Sequence, residues 1–380
     1  MPQVVRKPQA RQNLESAVVR LIHAAGGVSR VDLARSLKLV PSTAGIYVDR
    51  LIHNKILLEA ASPVRGLGRP PVVLRLNPKA GRFVGVDFDA RQILAKAVDF
   101  AQQPLAEARR LIPARAGVER VLEIIGEAIE EVAGPRRAAA RTGRDLLGIG
   151  LGVPGPVDPE RGVSLYYAHL PNWRDVPIGP HFAERFGVPT FVENNLRSMA
   201  LAEHCVGHGR GLRNLVCLGV RSGIGSGILV DGKLLHGAHN TAGEIGRWVY
   251  PGAKPTKDDR PTTIEDVSSV SALLAAADLA TVADLSAALE RGDRRVVALV
   301  RQAAEVHGWV AHQLVALFDP ETIVVSGPLV EHETYWSALR AAAERCGPDA
   351  AARLRPSTLG PFAGASGAAA LAFQNWIPRR

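Results

Sequence analysis

Residues 146–158 read LLGIGLGVPGPVD, an unbroken apolar run from Leu146 to Val153 stopped by Pro154-Gly155-Pro156. A run without polar alternation predicts a strand covered on both faces, as in the middle of an α/β sheet. Working outward, residues 83–89 form a second apolar strand ending in a turn, and 93–99 pair with it as a hairpin. A long helix is predicted over 118–132, a strand over 190–192, and a helix from there through Leu201. Further on, 215–220 and 227–230 predict a hairpin around Arg221-Ser222-Gly223-Ile224-Gly225-Ser226. Residues 303–317 predict a helix, and 322–325 a strand ending in Ser326-Gly327-Pro328. The pattern is that of an α/β body built of two similar halves, each opening on strand hairpins followed by helices.

Ahead of this body lies a basic block. Residues 1–80 carry 13 Lys and Arg against Glu15, Asp32, Asp49 and Glu59, a surplus equal to the +9 of the whole chain. A basic module on a neutral body predicts that one part meets a polyanion. Leu14, Val18, Leu21 and Ile22 recur at helical spacing over 14–25, and Gly26-Gly27 stops that helix. Ser29 is placed to cap a short second helix with Val31, Leu33, Ala34 and Leu37 inward. Pro41, Ser42 and Thr43 open a third helix to about residue 54, with Ala44, Val48, Leu51 and Ile52 inward. Apolar runs at 56–58 and 72–76 flank the basic stretch Arg65-Gly66-Leu67-Gly68-Arg69-Pro70-Pro71, which predicts a hairpin with a Gly/Pro-rich tip. This is the order of a winged helix-turn-helix, whose third helix enters the major groove. Ser42, Thr43, Tyr47 and Arg50 on that helix, with Arg65 and Arg69 at the tip, are the candidate DNA contacts, to base edges or to phosphates.

Bulk properties narrow the class. A length of 380 residues predicts roughly two to three domains, and no apolar run approaches the ~18 residues of a membrane span. Residues 1–10 are polar and lack the apolar stretch of a secretory signal. Cys205, Cys217 and Cys346 have neither metal-ligand nor disulfide spacing, so reduced thiols in a cytoplasmic protein are expected.

Several stretches together resemble the ROK family of repressors and sugar kinases: 83–89, 148–158, Glu193-Asn194-Asn195, Ser222-Gly223-Ile224-Gly225 and 237–246. The resemblance spans nearly the whole chain, including Gly68-Arg69-Pro70-Pro71 at the joint. It implies a winged helix-turn-helix over 1–78 and a two-lobed, actin-like (ribonuclease H-like) ATPase-type body over 79–380. It also implies a sugar pocket between the lobes and a homodimer or homotetramer. Asn194, Asn195, Glu244 and Glu265 match family positions that grip sugar hydroxyls.

The departures are equally informative. Where ROK kinases carry Glu-Asn-Asp with the Asp as base, this chain has Asn195, and an amide takes no proton at neutral pH. The phosphate loops are altered too: Asp87-Phe88-Asp89-Ala90-Arg91, Arg221-Ser222-Gly223 and Ser326-Gly327-Pro328 replace glycine-rich family loops. No catalytic residue and no cofactor are therefore expected. The Cys-rich zinc stretch of many members is absent, with Arg247 in place of its His, so no metal is expected and packing of Trp248 and Tyr250 is the expected substitute. Arg247 also joins the candidate sugar set, either forking onto a sugar acid or sugar phosphate or pairing internally with Glu244 or Glu265. His169 is read as an ordinary loop residue.

The reading is a regulator, a repressor of carbohydrate genes, that binds operator DNA and senses a sugar without phosphorylating it. A sugar kinase with a DNA-binding appendage is one alternative, and a regulator controlled by a protein partner is the other.

Overall fold

A computed structural model describes residues 7–61, 72–134, 146–251, 253–256 and 258–378. Three helices come first: α1 (Lys7–Ala25), α2 (Arg30–Ser36) and α3 (Pro41–His53). Gly26, at φ +68°, ends α1 in a conformation that side chains resist. Ser29 caps α2, its hydroxyl accepting the Asp32 amide at 3.1 Å. An antiparallel hairpin of β1 (Leu57–Ala61) and β2 (Val72–Leu76) follows, and its tip, with Arg65 and Arg69, lies outside the described residues. Val18, Ile22, Leu33, Val48, Leu51, Leu57 and Leu74 form the interior of this module. Val31 departs from expectation. It stands two residues before Leu33, nearly opposite it on a two-turn helix, and is 63% exposed.

The body opens on β3 (Arg82–Phe88), β4 (Gln92–Asp99) and β5 (Pro104–Leu111), an antiparallel meander covered by α4 (Val118–Ala133). The chain then forms β6 (Leu146–Val153) and the small strands β7 (Val157–Asp158), β8 (Val163–Tyr166) and β9 (Arg174–Val176). After α5 (Ile178–Phe186) come β10 (Thr190–Asn194) and α6 (Asn195–Val206). The first five-stranded sheet runs β10-β6-β3-β4-β5, with β10, β6 and β3 parallel.

The second half repeats this plan. It holds β11 (Leu215–Val220), β12 (Ile224–Val230), β13 (Lys233–Leu234), the helices α7 (Ile264–Ser268), α8 (Val270–Ala277), α9 (Val282–Glu290) and α10 (Arg294–Phe318), and β14 (Thr322–Ser326). Then come α11 (Glu333–Cys346), α12 (Pro348–Arg353), β15 (Leu354–Pro356) and α13 (Ala363–Gln374). Its sheet runs β13-β12-β11-β14-β15, the same order of meander followed by two parallel strands. The two sheets are the hearts of two lobes, each with its own apolar core. α10 starts nine residues before the expected position, because Asp293 caps it through the Arg295 and Val296 amides.

α6 and α13 cross over. α6 follows a strand of the first sheet yet lies against β11 and β12 of the second, and α13 follows the second sheet yet lies across β3 and β6 of the first. The two helices run against one another at the centre. This explains the glycines of the 146–153 run. Ile149, Leu151 and Val153 enter the first core, while Gly148, Gly150 and Gly152 face the helices. A Cβ at Gly150 would stand 1.7 Å from the Ala368 carbonyl oxygen.

The end of α13 also reaches the N-terminal module. Phe373 and Trp376 share one apolar cluster with Val18, Val19 and Ile22 of α1 and with Phe83 and Phe100 of the body. The Ser16 hydroxyl donates to the Trp376 carbonyl at 3.1 Å, and Arg20 donates to that of Gln374 at 2.9 Å. Among the described residues, no single helix is long and apolar enough to cross a membrane.

Candidate functional site

The C-terminal end of β10 and the start of α6 deliver Glu193, Asn194 and Asn195 to the groove between the lobes. There a cavity of about 210 Å³ is lined by all five sugar candidates, Asn194, Asn195, Glu244, Arg247 and Glu265, together with His169. Their surroundings assign different duties.

Asn194 is largely committed to the scaffold. Its Oδ1 accepts the Leu196 and Arg197 amides at 2.9 and 3.3 Å as the cap of α6, and its Nδ2 donates to the Gly155 carbonyl at 3.0 Å. It thus ties the helix to the Pro-Gly-Pro turn. Glu265 accepts the Ile224 amide at 2.9 Å through Oε2, beside Gly223 and Gly246, which leaves Oε1 for a ligand. Arg247 pairs with Glu244 at 3.3 Å, the internal arrangement of the two envisaged.

Glu193 is the residue that sequence reasoning passed over. It is buried, and its Oε1 accepts the Asn194 amide at 2.7 Å and Arg197 Nε at 2.6 Å. Its Oε2 lies 2.6 Å from His236 Nε2. Burial alone would raise its carboxyl, but the His236 hydrogen bond and the Arg197 charge outweigh that and hold it below the usual range. The four-residue spacing of Glu193 and Arg197 across a strand–helix junction was a readable signal; the link to His236 was not.

A larger cavity of about 570 Å³ adjoins the first, lined by Asp87, Asp89, Arg91, Arg109, Ser326 and Gly327 among others. Arg221, in the β11–β12 turn, donates from Nη1 to Asp87 Oδ2 at 2.9 Å and sits 3.8 Å from Asp89. Burial pushes Asp87 up to about 6, the Arg221 charge opposing and Asp89 reinforcing the rise. Tyr167, which borders the smaller cavity, is pushed up to about 12 by burial and by Asp89.

The stretch that replaces the zinc motif is held by packing and pairing. Trp248 and Tyr250 pack on the second lobe's core, Trp248 edge-on to Trp309 at 6.2 Å. Val249 bridges Thr263, and Arg260 forks onto both oxygens of Asp266 at 2.7 Å.

On the N-terminal module, Ser42 is exposed on the first turn of α3, with Thr43 and Tyr47 half-buried. Arg50 is half-buried. Its Nη1 donates at 2.9 Å to buried Glu15 of α1, which fastens α3 to α1. Ile46, 60% exposed between Ser42 and Arg50 on the helix, was not singled out from the sequence. The four acidic residues of this region are all paired, Glu15 with Arg50, Asp32 with Arg35, and Asp49 and Glu59 with Arg30. The positive surplus therefore falls on other side chains, Arg20, Lys38, Lys55, Arg75 and Lys79 among the described ones.

This geometry can be set beside known proteins. The xylose repressor of Caldicellulosiruptor bescii is 26% identical over 321 residues, 78% of each chain. The crystal structure of a ROK family transcriptional regulator, a homologue of the E. coli MLC protein, superposes with a TM-score of 0.79 at 26% identity over 96% of both chains. A ROK family glucokinase from Streptomyces griseus, in complex with glucose and AMPPNP, superposes with a TM-score of 0.66 at 27% identity, covering 77% of this chain and 100% of its own. The profile of the ROK family matches residues 83–375, so this chain belongs to the ROK family.

Proposed function

We propose that this chain is a cytoplasmic DNA-binding transcriptional repressor of carbohydrate genes, which senses a sugar in the smaller cavity and leaves it chemically unchanged. Residues 1–78 form the operator-reading module and 79–380 the sensor, working as a dimer on a two-fold site. Ser42, Thr43 and Tyr47 of α3, with Arg65 and Arg69 of the hairpin tip, are its DNA contacts. Asn195, Glu244 and Glu265 are its sugar contacts, with Arg247 adjusting Glu244 and Asn194 holding the rim. A volume of about 210 Å³ lies below the range of ~300–1,000 Å³ for drug-sized ligands and suits a monosaccharide.

The observation that carries this reading is the continuous core joining the two parts. A DNA reader seated through Phe373 and Trp376 on a lobe that lines the sugar-sized cleft is placed to respond to its occupancy. Asn195 in place of a base, and Arg221 across the path between the cavities, argue against phosphoryl transfer. A coupling of ~1–3 kcal/mol between the sites would give a several-fold to hundred-fold switch.

The test is a thermal-shift screen of neutral sugars, sugar acids and sugar phosphates, followed by anisotropy titration of the gene's own upstream DNA with and without the hit. A stabilising sugar that weakens operator binding supports the reading. ATP-dependent turnover of that sugar refutes it.

A further inference from the structure

Arg221 lines both cavities, as do Asp89 and Ser222, so its guanidinium stands in the partition between them. It also joins the lobes, since it rises from the β11–β12 turn of the second lobe and meets Asp87 and Asp89 of the first. The two arms are unequal. The Asp87 arm is tight at 2.9 Å, and Asp87 is 1% exposed and wedged against α13, where a Cβ on Gly364 would lie 2.5 Å from its carboxyl carbon. The Asp89 arm is loose at 3.8 Å. Asp89 Oδ1 is committed to the Arg91 and Gln92 amides at 2.8 and 3.0 Å, which leaves Oδ2 to Arg221 and to the two cavities that Asp89 borders. A further bond crosses beside it, Arg91 Nη1 to the Ala280 carbonyl at 3.4 Å. The backbone of the turn is anchored as well, with the Arg221 carbonyl accepting the Val270 amide at 2.9 Å.

A buried guanidinium between two carboxylates is stabilising only while its partners stay in place, because loss of either leaves uncompensated charge away from water. We propose that Arg221 is an internal latch between the lobes: its Asp87 arm holds the floor of the cleft together in the absence of ligand, and a sugar hydroxyl in the smaller cavity takes the Asp89 arm. The second half of this rests on the smaller cavity being the sugar site; the first half does not. The latch supplies from within the chain the cross-lobe contact that a bound ligand would otherwise make. It turns an approach of one hydroxyl to Asp89 into a change in how the lobes are held.

Hydrogen exchange on the full chain without sugar or DNA tests the latch. Arg221→Gln should accelerate exchange at least tenfold in two segments of different lobes, 89–92 and 222–225, with Arg221→Lys in between. Asp89→Asn should loosen the same pair, and it serves as the reading if Arg221→Gln does not fold. Acceleration confined to 222–225, with 89–92 as in the wild type, would mean that Arg221 only fills its own turn, and would overturn the proposal. A sugar found by thermal shift should then loosen both segments in the wild type and add nothing in Asp89→Asn; protection of both instead would overturn the second half. If no sugar binds, the effector reading fails, while the ligand-free exchange still decides the latch.

Discussion

Phe373→Ala tests whether the DNA-reading module and the sensor are one mechanical unit. Phe373 is 3% exposed on the last turn of α13, with ring centroids 5.6 Å from Phe83, 5.8 Å from Phe100 and 4.8 Å from His23 of α1. Truncating such a ring costs about 3–5 kcal/mol, the transfer of the lost atoms plus the cavity left behind. The loss falls on the joint, because His23 loses its ring neighbour and α1 loses part of its seat. A module of this size is expected to hold about 4–12 kcal/mol of stability, so it should stay folded and come loose. Hydrogen exchange should show α1 amides losing protection ahead of β3 and β6, and operator binding should persist while its response to sugar fades. Phe373→Leu, which keeps most of the volume, should cost under about 1.5 kcal/mol and keep the response. Unchanged α1 protection in Phe373→Ala, or an equal loss of protection along the whole chain, would refute the reasoning.

Arg50→Ala should destabilise by about 1–3 kcal/mol for stranding buried Glu15, read as a lower melting temperature, with no change in the salt slope of operator binding; a slope reduced by about one with an unchanged melt would return Arg50 to the phosphate backbone. Gly150→Ala should destabilise by at least about 1–3 kcal/mol, since β6 and α13 must part, and circular-dichroism melts check it. His23 is held below its ordinary 6.5, first by burial and then by the Arg210 charge. The unfolded chain therefore takes up the proton first as pH falls through 6.5, and stability should drop there in the wild type more steeply than in His23→Gln, measured by urea melts. Asn195→Asp should yield no ATP-dependent sugar phosphorylation in an ADP-release assay, because Arg221 still bridges to Asp87 across the phosphate path.

Where local pattern decides structure, the chain was readable. The apolar run of β6, the Ser29 cap and the order of three helices and a hairpin all follow from neighbouring residues. What escaped depends on partners far along the chain. Gly148 and Gly150 of β6 answer to Ala372 and Ala368, more than two hundred residues away, and Gly152 to Ser198 of α6. Arg50 has the spacing of an outward residue, and only the docking of α1 turns it onto Glu15. Strand β5, PLAEARRL, reads as polar because it is a sheet edge with only Ala108 buried. At the site, the positions gathered round the smaller cavity were legible from motif resemblance. Their division of labour was not: Asn194 as a cap, Glu265 held by Ile224 and Arg247 paired with Glu244 emerge only from three-dimensional neighbours.

The crossing of α13 has a consequence for biosynthesis. The N-terminal module leaves the ribosome well before the helix on which it rests. A chain that ends before Ala363 carries every residue of the N-terminal module and none of the helix that seats it. Its α1 then lacks the Phe373 ring that lies against His23, and β3 and β6 show a bare row of glycines. An unfinished product is thereby exposed to proteolysis before it can occupy an operator out of reach of its sugar.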